Sequence, residues 1–144
     1  MKVSLILQNK GSTEVATIGS TATISDAVTV LSEKRIGALV VSSGNGAVDG
    51  ILSERDVVAA LGRDGANVLS HNVADLMTPD VESCVGEDTA FDVLGRMTSG
   101  RFRHMPVLGP SGTMVGILSI GDVVKARLEE IESENAAMAD MLGG

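Results

Sequence analysis

The chain has 144 residues, 44% of them hydrophobic, with one cysteine, two phenylalanines, no tyrosine or tryptophan, and a formal net charge of −8. That length suits one compact domain or two small halves, and the apolar content is ample for an aliphatic core. The acidity and the lack of aromatic stacking platforms exclude nucleic acid as an expected partner. No apolar run approaches the roughly 20 residues that a bilayer span needs. Met1-Lys2-Val3-Ser4 leads into a short apolar segment without a signal-peptide cleavage pattern, so the expectation is a cytoplasmic protein with no membrane partner. Cys84 alone permits no internal disulfide, and one cysteine with two histidines gives no metal-ligand spacing. It is expected as a small buried strand residue.

In chain order, Glu14 to Ile18 reads as a short strand. Thr23-x-x-Asp26 can cap a helix whose Ile24, Ala27, Val28 and Leu31 share one face, and Gly37 is expected to end it. Ala38 to Val41 is a continuous apolar strand. Ser43-Gly44-Asn45-Gly46 is a turn cluster suited to positive φ, and Ala47 to Leu52 returns as a partner strand. Ser53-x-x-Asp56 then opens a helix over Glu54 to Leu61, and Gly62 to Asn67 is a polar loop.

The scheme repeats. Gly50-Ile51-Leu52-Ser53-Glu54-Arg55-Asp56 returns 66 positions on as Gly116-Ile117-Leu118-Ser119-Ile120-Gly121-Asp122. Val15/Val81, Thr23/Thr89, Asp26/Asp92, Arg35/Arg101, Val41/Val107 and Val57/Val123 coincide at the same offset, with one insertion difference before Val15. The second copy reads as a strand at Val81 to Val85, a helix opened by Thr89-x-x-Asp92 and closed by Gly100, a strand at Met105 to Leu108, a Gly-Pro-Ser-Gly turn, and a strand at Thr113 to Leu118. Pro106 is expected at a strand start or an edge, where no N–H is required. The fold class is therefore α/β (α+β): two tandem repeats, 1–70 and 71–129, each a small three-stranded sheet with two helices, packed as a pseudo-twofold pair.

An extended C-terminal helix over 123–144 completes the chain. Val124, Leu128, Ile131, Asn135, Met138 and Leu142 follow steps of four and three, a seam fit for helix-to-helix packing with Asn135 as its polar member. The helix either pairs with a second copy, packs back on its own domain, or frays near Gly143-Gly144.

At each Ser-x-x-Asp turn a ligand would meet backbone N–H groups, a hydroxyl, a carboxylate and the positive end of a helix dipole, which suits a sugar-bearing or phosphorylated molecule. Equally, Ser53/Asp56 and Ser119/Asp122 can serve only as helix caps. A carboxylate accepts both vicinal hydroxyls of a ribose, and apolar strand residues offer a slot for a purine. No nucleophile-base-orienter set, metal cluster or phosphate loop of the Gly-x-x-x-x-Gly-Lys-Ser type is present, so no enzyme activity is expected.

Two copies of this order with Gly-Ile-Leu-Ser-x-x-Asp at the third strand resemble a cystathionine-beta-synthase (CBS) domain pair, or Bateman module, over nearly the whole chain. Further supports are Ile6-Leu7-Gln8-Asn9-Lys10-Gly11 before the first repeat and Leu76-Met77-Thr78-Pro79-Asp80-Val81 before the second. Arg35-Ile36-Gly37-Ala38-Leu39-Val40-Val41 and Arg101-Phe102-Arg103-His104-Met105-Pro106-Val107 add to them. The resemblance implies a regulatory module that binds adenosine-containing ligands (AMP, ADP, ATP, NAD or S-adenosylmethionine) in clefts between the repeats, with the nucleotide as regulatory ligand rather than cofactor.

Carried over, one site would use Ser53, Arg55 and Asp56 with Thr78, Asp80, Glu82, Phe102 and Arg103, and His104 beside it. The other would use Ser119 and Asp122 with Lys10, Gly11, Glu14, Ala16, Ile36 and Gly37. Because Arg55 aligns with Gly121 and Arg103 with Gly37, the site on Asp56 and Arg103 is expected to hold phosphorylated ligand more tightly. A homodimer that signals to a separate effector protein is the expected assembly, and a ligand-free dimerisation scaffold is the alternative.

Overall fold

The computed structural model describes residues 1–11 and 14–143. In chain order the elements are α1 (Val3–Asn9), β1 (Thr17–Ile18), α2 (Ile24–Lys34), β2 (Ala38–Val41), β3 (Gly50–Ser53), α3 (Glu54–Asp64), a 3-10 turn (Ala66–Ser70), α4 (Val73–Leu76), β4 (Cys84–Val85), α5 (Ala90–Gly100), β5 (His104–Leu108), β6 (Met114–Ser119) and α6 (Ile120–Gly143). The fold is mixed α/β with two three-stranded sheets, β1-β2-β3 and β4-β5-β6, so each repeat contributes one. No helix of the described residues is long and apolar enough to cross a membrane.

The chain forms two compact units. One comprises Glu14–Glu82 with Pro110–Met114, and the other comprises the N-terminal segment with α1, Ser83–Gly109 and the chain from Val115 onward. In the first-repeat unit β1 pairs parallel with β2, and β2 pairs antiparallel with β3. Ile24, Ala27 and Leu31 of α2 pack with Leu39, Val41, Leu52, Val57 and Val73 in an aliphatic core. In the second-repeat unit Val3, Ile6 and Leu7 of α1 join Cys84, Val93, Met97, Met105, Val107, Leu118 and Val123. Cys84 is buried, as expected of a small strand residue.

The compact units thus cut across the sequence halves at 70/71, because each preamble packs with the other repeat. Backbone hydrogen bonds fix each exchange within its own unit. Val73 N–H donates to Ala22 O and Ala74 N–H to Ser20 O, while Ile24 N–H donates to His71 O. In the other unit Val3 N–H donates to Asp88 O and Ser4 N–H to Gly86 O, while Ala90 N–H donates to Met1 O. Each exchanged segment also passes over the glycine that opens the repeated heptapeptide. A Cβ at Gly50 would lie 2.8 Å from both Met77 Sδ and Thr78 O, and one at Gly116 would lie 2.8 Å from Leu7 Cδ2. At Gly50 only glycine leaves room for the Thr78 carbonyl, whereas at Gly116 the obstacle is the movable end of Leu7.

Local readings hold where a cap decides them. Thr23 and Thr89 accept from Asp26 N–H at 3.1 Å and Asp92 N–H at 3.2 Å, and Asn45 lies at φ 55° between two positive-φ glycines.

Several boundaries differ. The first strands are only Thr17–Ile18 and Cys84–Val85, and the polar loop expected from Gly62 is instead the end of α3 and a 3-10 turn. Helix α2 stops at Lys34 with Arg35 as its cap, short of Gly37, whereas α5 ends at Gly100 as expected, with Arg101 as its cap. Both arginines adopt the left-handed conformation, at φ 52° and 57°. Gly100 is small for a different reason, since a Cβ there would run into the Phe102 ring.

Pro106 sits inside the central strand of its sheet, not at a start or an edge. In the first repeat the aligned residue, Val40, donates its N–H to Ala16 O and pairs with Thr17. Without that donor the second repeat begins its pairing one residue later, at Cys84↔Val107.

Candidate functional site

Each repeat ends its third strand in a Ser-x-x-Asp turn, and both turns are built alike. Ser53 N–H donates to Asp56 Oδ2 at 2.8 Å, and Ser119 N–H donates to Asp122 Oδ2 at 2.9 Å. In return Asp56 N–H and Asp122 N–H donate to the Ser53 and Ser119 hydroxyl oxygens, at 3.3 and 3.1 Å. These reciprocal bonds are a capping box, which fixes the carboxylate rotamer at the start of α3 and of α6. Among the described residues the partners of both carboxylates all lie on Oδ2, so Oδ1 is the acceptor that each turn presents to a hydroxyl-bearing molecule.

The turns differ in what else reaches Oδ2. At Asp56 it is the Ser53 hydroxyl, at 2.9 Å. At Asp122 it is the Lys10 ammonium, also at 2.9 Å, which donates as well to Ile117 O at 2.9 Å. The aligned carbonyl of the first repeat, Ile51 O, is bonded by the Thr78 backbone N–H at 2.9 Å. A side-chain cation therefore does in the second-repeat unit what a peptide N–H does in the first. Burial pushes the Asp122 carboxyl up, but hydrogen bonds from Lys10 and Ser119 and the Lys10 charge outweigh it, and the group is held below the ordinary carboxylate value.

Beside this pair lies an open pocket of about 270 Å³, lined by Met1, Ile6, Asn9, Lys10, Asp122, Lys125, Ala126 and Glu129. Lys125 and Asn9 were missed by sequence reasoning. The available signal was position: Lys125 is one helical turn beyond Asp122, and Asn9 and Lys10 fall between Leu7 and Val15, a stretch longer than its counterpart between Met77 and Val81.

The other expected site residues fall as follows. Thr78 is bridged to Ile51, one strand position from Leu52-Ser53, within the first-repeat unit. Arg55 is exposed at the start of α3, and Asp80 and Glu82 are exposed beyond α4. Gly37 O accepts from Glu54 N–H at 2.9 Å, and Arg103 O accepts from Ile120 N–H at 2.8 Å. Each is thus joined to the Ser-x-x-Asp turn of its own unit. Phe102 packs against the second-repeat core and His104 is half-buried at the start of β5. Ile36 and Ala16 pack against the first-repeat core. Glu14 is exposed, and Gly11 is exposed at φ 76°.

A protein-family model described as CBS domain matches residues 11–63 and again 73–129. The chain belongs to the CBS-domain family. A CBS-domain containing protein of Agrobacterium tumefaciens, solved as a crystal structure, is 42% identical with a TM-score of 0.83, over 88% of this chain and 99% of the other. An uncharacterised 17.7 kDa protein of Acidianus ambivalens is 35% identical over 118 residues, 81% of this chain and 70% of that one. A CBS domain protein of Pyrobaculum aerophilum complexed with AMP shares the fold at a TM-score of 0.74 and 23% identity, over 85% of this chain and 89% of that one. Curated CBS-domain relatives from Arabidopsis thaliana are longer, and the chain spans 56% of one and 24% of another.

Proposed function

We propose that this CBS-domain pair is a regulatory, non-catalytic module that binds adenosine-containing ligands and passes on its ligand state by a change of conformation or association. The observation that carries the reading is the doubled turn. Asp56 and Asp122 are each locked by their own serine at 2.8 and 2.9 Å, which leaves the other carboxylate oxygen to take ribose hydroxyls. The AMP held by the Pyrobaculum protein supports the ligand class. Which nucleotide binds, among AMP, ADP, ATP, NAD and S-adenosylmethionine, follows from a melting panel. A ligand at 100 times its dissociation constant adds about 2.7 kcal/mol to native stability. A flat panel, in which no adenosine compound moves the melting temperature, overturns the reading.

Association with a second copy through α6 is the second part of the proposal. Val124, Leu128, Ile131 and Met138 are all exposed on α6, in heptad steps with Asn135 between them. From Ile131 onward every described residue of α6 is exposed, so that half of the helix buries nothing within the chain. An in-register parallel pair would cover the stripe and set each Asn135 amide against its copy. It would also bring Arg127 of one helix beside Glu132 of the other, with opposite charges. Antiparallel pairing would place Asn135 against an aliphatic residue, where its amide has no partner. The output then falls to a separate effector protein that reads the dimer.

A further inference from the structure

We infer that Met138 is an oxidation site, and that a peroxide, by turning its thioether into a sulfoxide, separates the paired α6 helices. This rests on the reading of α6 as the association surface and deepens it by naming what regulates that surface.

The chain has seven methionines, and burial divides them. Met97 and Met105 are buried, Met1 and Met77 pack against the two cores, and Met114 is half-buried. Met138 and Met141 are 59% and 86% exposed, both in the half of α6 that buries nothing within the chain. An oxidant in solution therefore reaches these two sulfurs first and spares the sulfurs of the cores. Cys84 is buried and does not compete. The step is a two-electron transfer. The Met138 sulfur attacks one oxygen of hydrogen peroxide, an S–O bond forms as the O–O bond breaks, and the other oxygen leaves with both protons as water. Sulfur is oxidised and peroxide reduced.

Met138 holds the stripe position between Asn135 and Leu142, and the other apolar members, Val124, Leu128, Ile131 and Leu142, carry no oxidisable atom. In the parallel pair the two Asn135 amides engage each other, so a sulfoxide at position 138 adds a second polar layer whose oxygens have no donor. That layer also cuts Leu142 off from the rest of an already short seam. Leucine would fill the same position without this liability, so methionine is what makes the layer switchable. Met141 lies one position off the stripe, at the rim of the pair, where a sulfoxide stays in water.

The test is to treat the full chain with hydrogen peroxide, map each sulfoxide by peptide mass spectrometry and follow association by sedimentation. Met138 and Met141 are expected to gain oxygen before the other five. Dimer affinity should fall about tenfold or more, the effect of burying unpartnered polar atoms in the seam, while the chain still melts cooperatively. Because pairing covers Met138, its oxidation should slow as protein concentration rises into the range of the dimer, with Met141 much less affected. Methionine sulfoxide reductases, one for each epimer, should restore both the thioether and the dimer. Met138→Leu should pair at least as tightly and keep its dimer in peroxide, whereas Met141→Leu should lose it as the wild type does.

A dimer that survives full conversion of Met138 overturns the inference and leaves association through α6 standing. So does a Met138→Leu dimer that peroxide still separates. A chain that sediments as a monomer before any peroxide is added overturns the α6 reading and the inference with it.

Discussion

Ile51 and Thr78 exchange two backbone hydrogen bonds, Ile51 N–H to Thr78 O at 3.0 Å and Thr78 N–H to Ile51 O at 2.9 Å. This bridge clamps the segment after α4 onto β3, one residue from Gly50. A methyl at Gly50 would meet the Thr78 carbonyl at 2.8 Å, and that carbonyl is fixed by the bridge. Gly50→Ala is therefore expected to lower the urea midpoint by the equivalent of about 1–3 kcal/mol, the usual range for overpacking. Gly116→Ala should cost less, because its obstacle is the flexible end of Leu7, which can change rotamer. Equal losses at the two positions would show that the preambles are held alike.

Arg101 closes α5 at φ 57° with an exposed side chain, a conformation that costs a non-glycine residue free energy. Arg101→Gly is expected to raise the thermal midpoint, with a gain of about 0.5–1 kcal/mol. Thermal melts of the two proteins at matched concentration decide it. No gain would mean that the arginine side chain returns as much as its backbone costs.

These two cases mark what the sequence disclosed. The 66-residue offset exposed the two sheets by repeating their strands, and the threonine caps and both Ser-x-x-Asp turns were legible because each depends on residues three positions apart. The end of α2 was misread because Gly37 drew attention from Arg35, the left-handed cap two positions earlier. Gly100 answers to the Phe102 ring rather than to backbone conformation. The exchange of preambles was hidden for a different reason: its hydrogen bonds, such as Val3 N–H to Asp88 O, span most of the chain. Lys10 was named from resemblance, yet its pairing with Asp122 and with Ile117 O, 107 positions away, is a tertiary fact that no local pattern carries.

Asp122 should leave a mark on the acid side of the stability curve. Its folded value is depressed, so its contribution is present above the unfolded value, about 4 for aspartate, and is lost as pH falls through the folded value. The wild type should exceed Asp122→Asn in urea midpoint by a constant amount near neutrality, and the difference should shrink below about pH 4. A difference that stays constant into strong acid would mean that this carboxylate does not titrate with folding.

Cys84 should behave in the opposite sense. Burial chiefly, with the Asp88 charge adding and Arg96 opposing, pushes its thiol up to about 11. Below the unfolded value, about 8.5, its contribution is complete, and it is lost as pH rises toward the folded value. The native thiol is expected to resist a disulfide reagent at pH 8 and to react once urea unfolds the chain. Rapid reaction of the native protein would show that the β4 edge opens without global unfolding.

The exposed half of α6 offers the sharpest separation between folding and association. From Ile131 to Gly143 no described residue is buried, so deleting this segment removes none of the core that Val123 and Ala126 help to form. The truncated chain should melt as a folded protein and sediment as a monomer where the full chain sediments as a dimer. Leu128→Glu with Ile131→Glu, both on the stripe at 56% and 41% exposure, should have the same effect without shortening the helix. Asn135→Cys distinguishes the orientations, since Cys84 is buried and the new thiol would be the accessible one. In a parallel pair position 135 faces its own copy, and mild oxidation should link the dimer. A dimer that forms but does not cross-link there has its helices antiparallel, and one that survives the truncation is held by another surface.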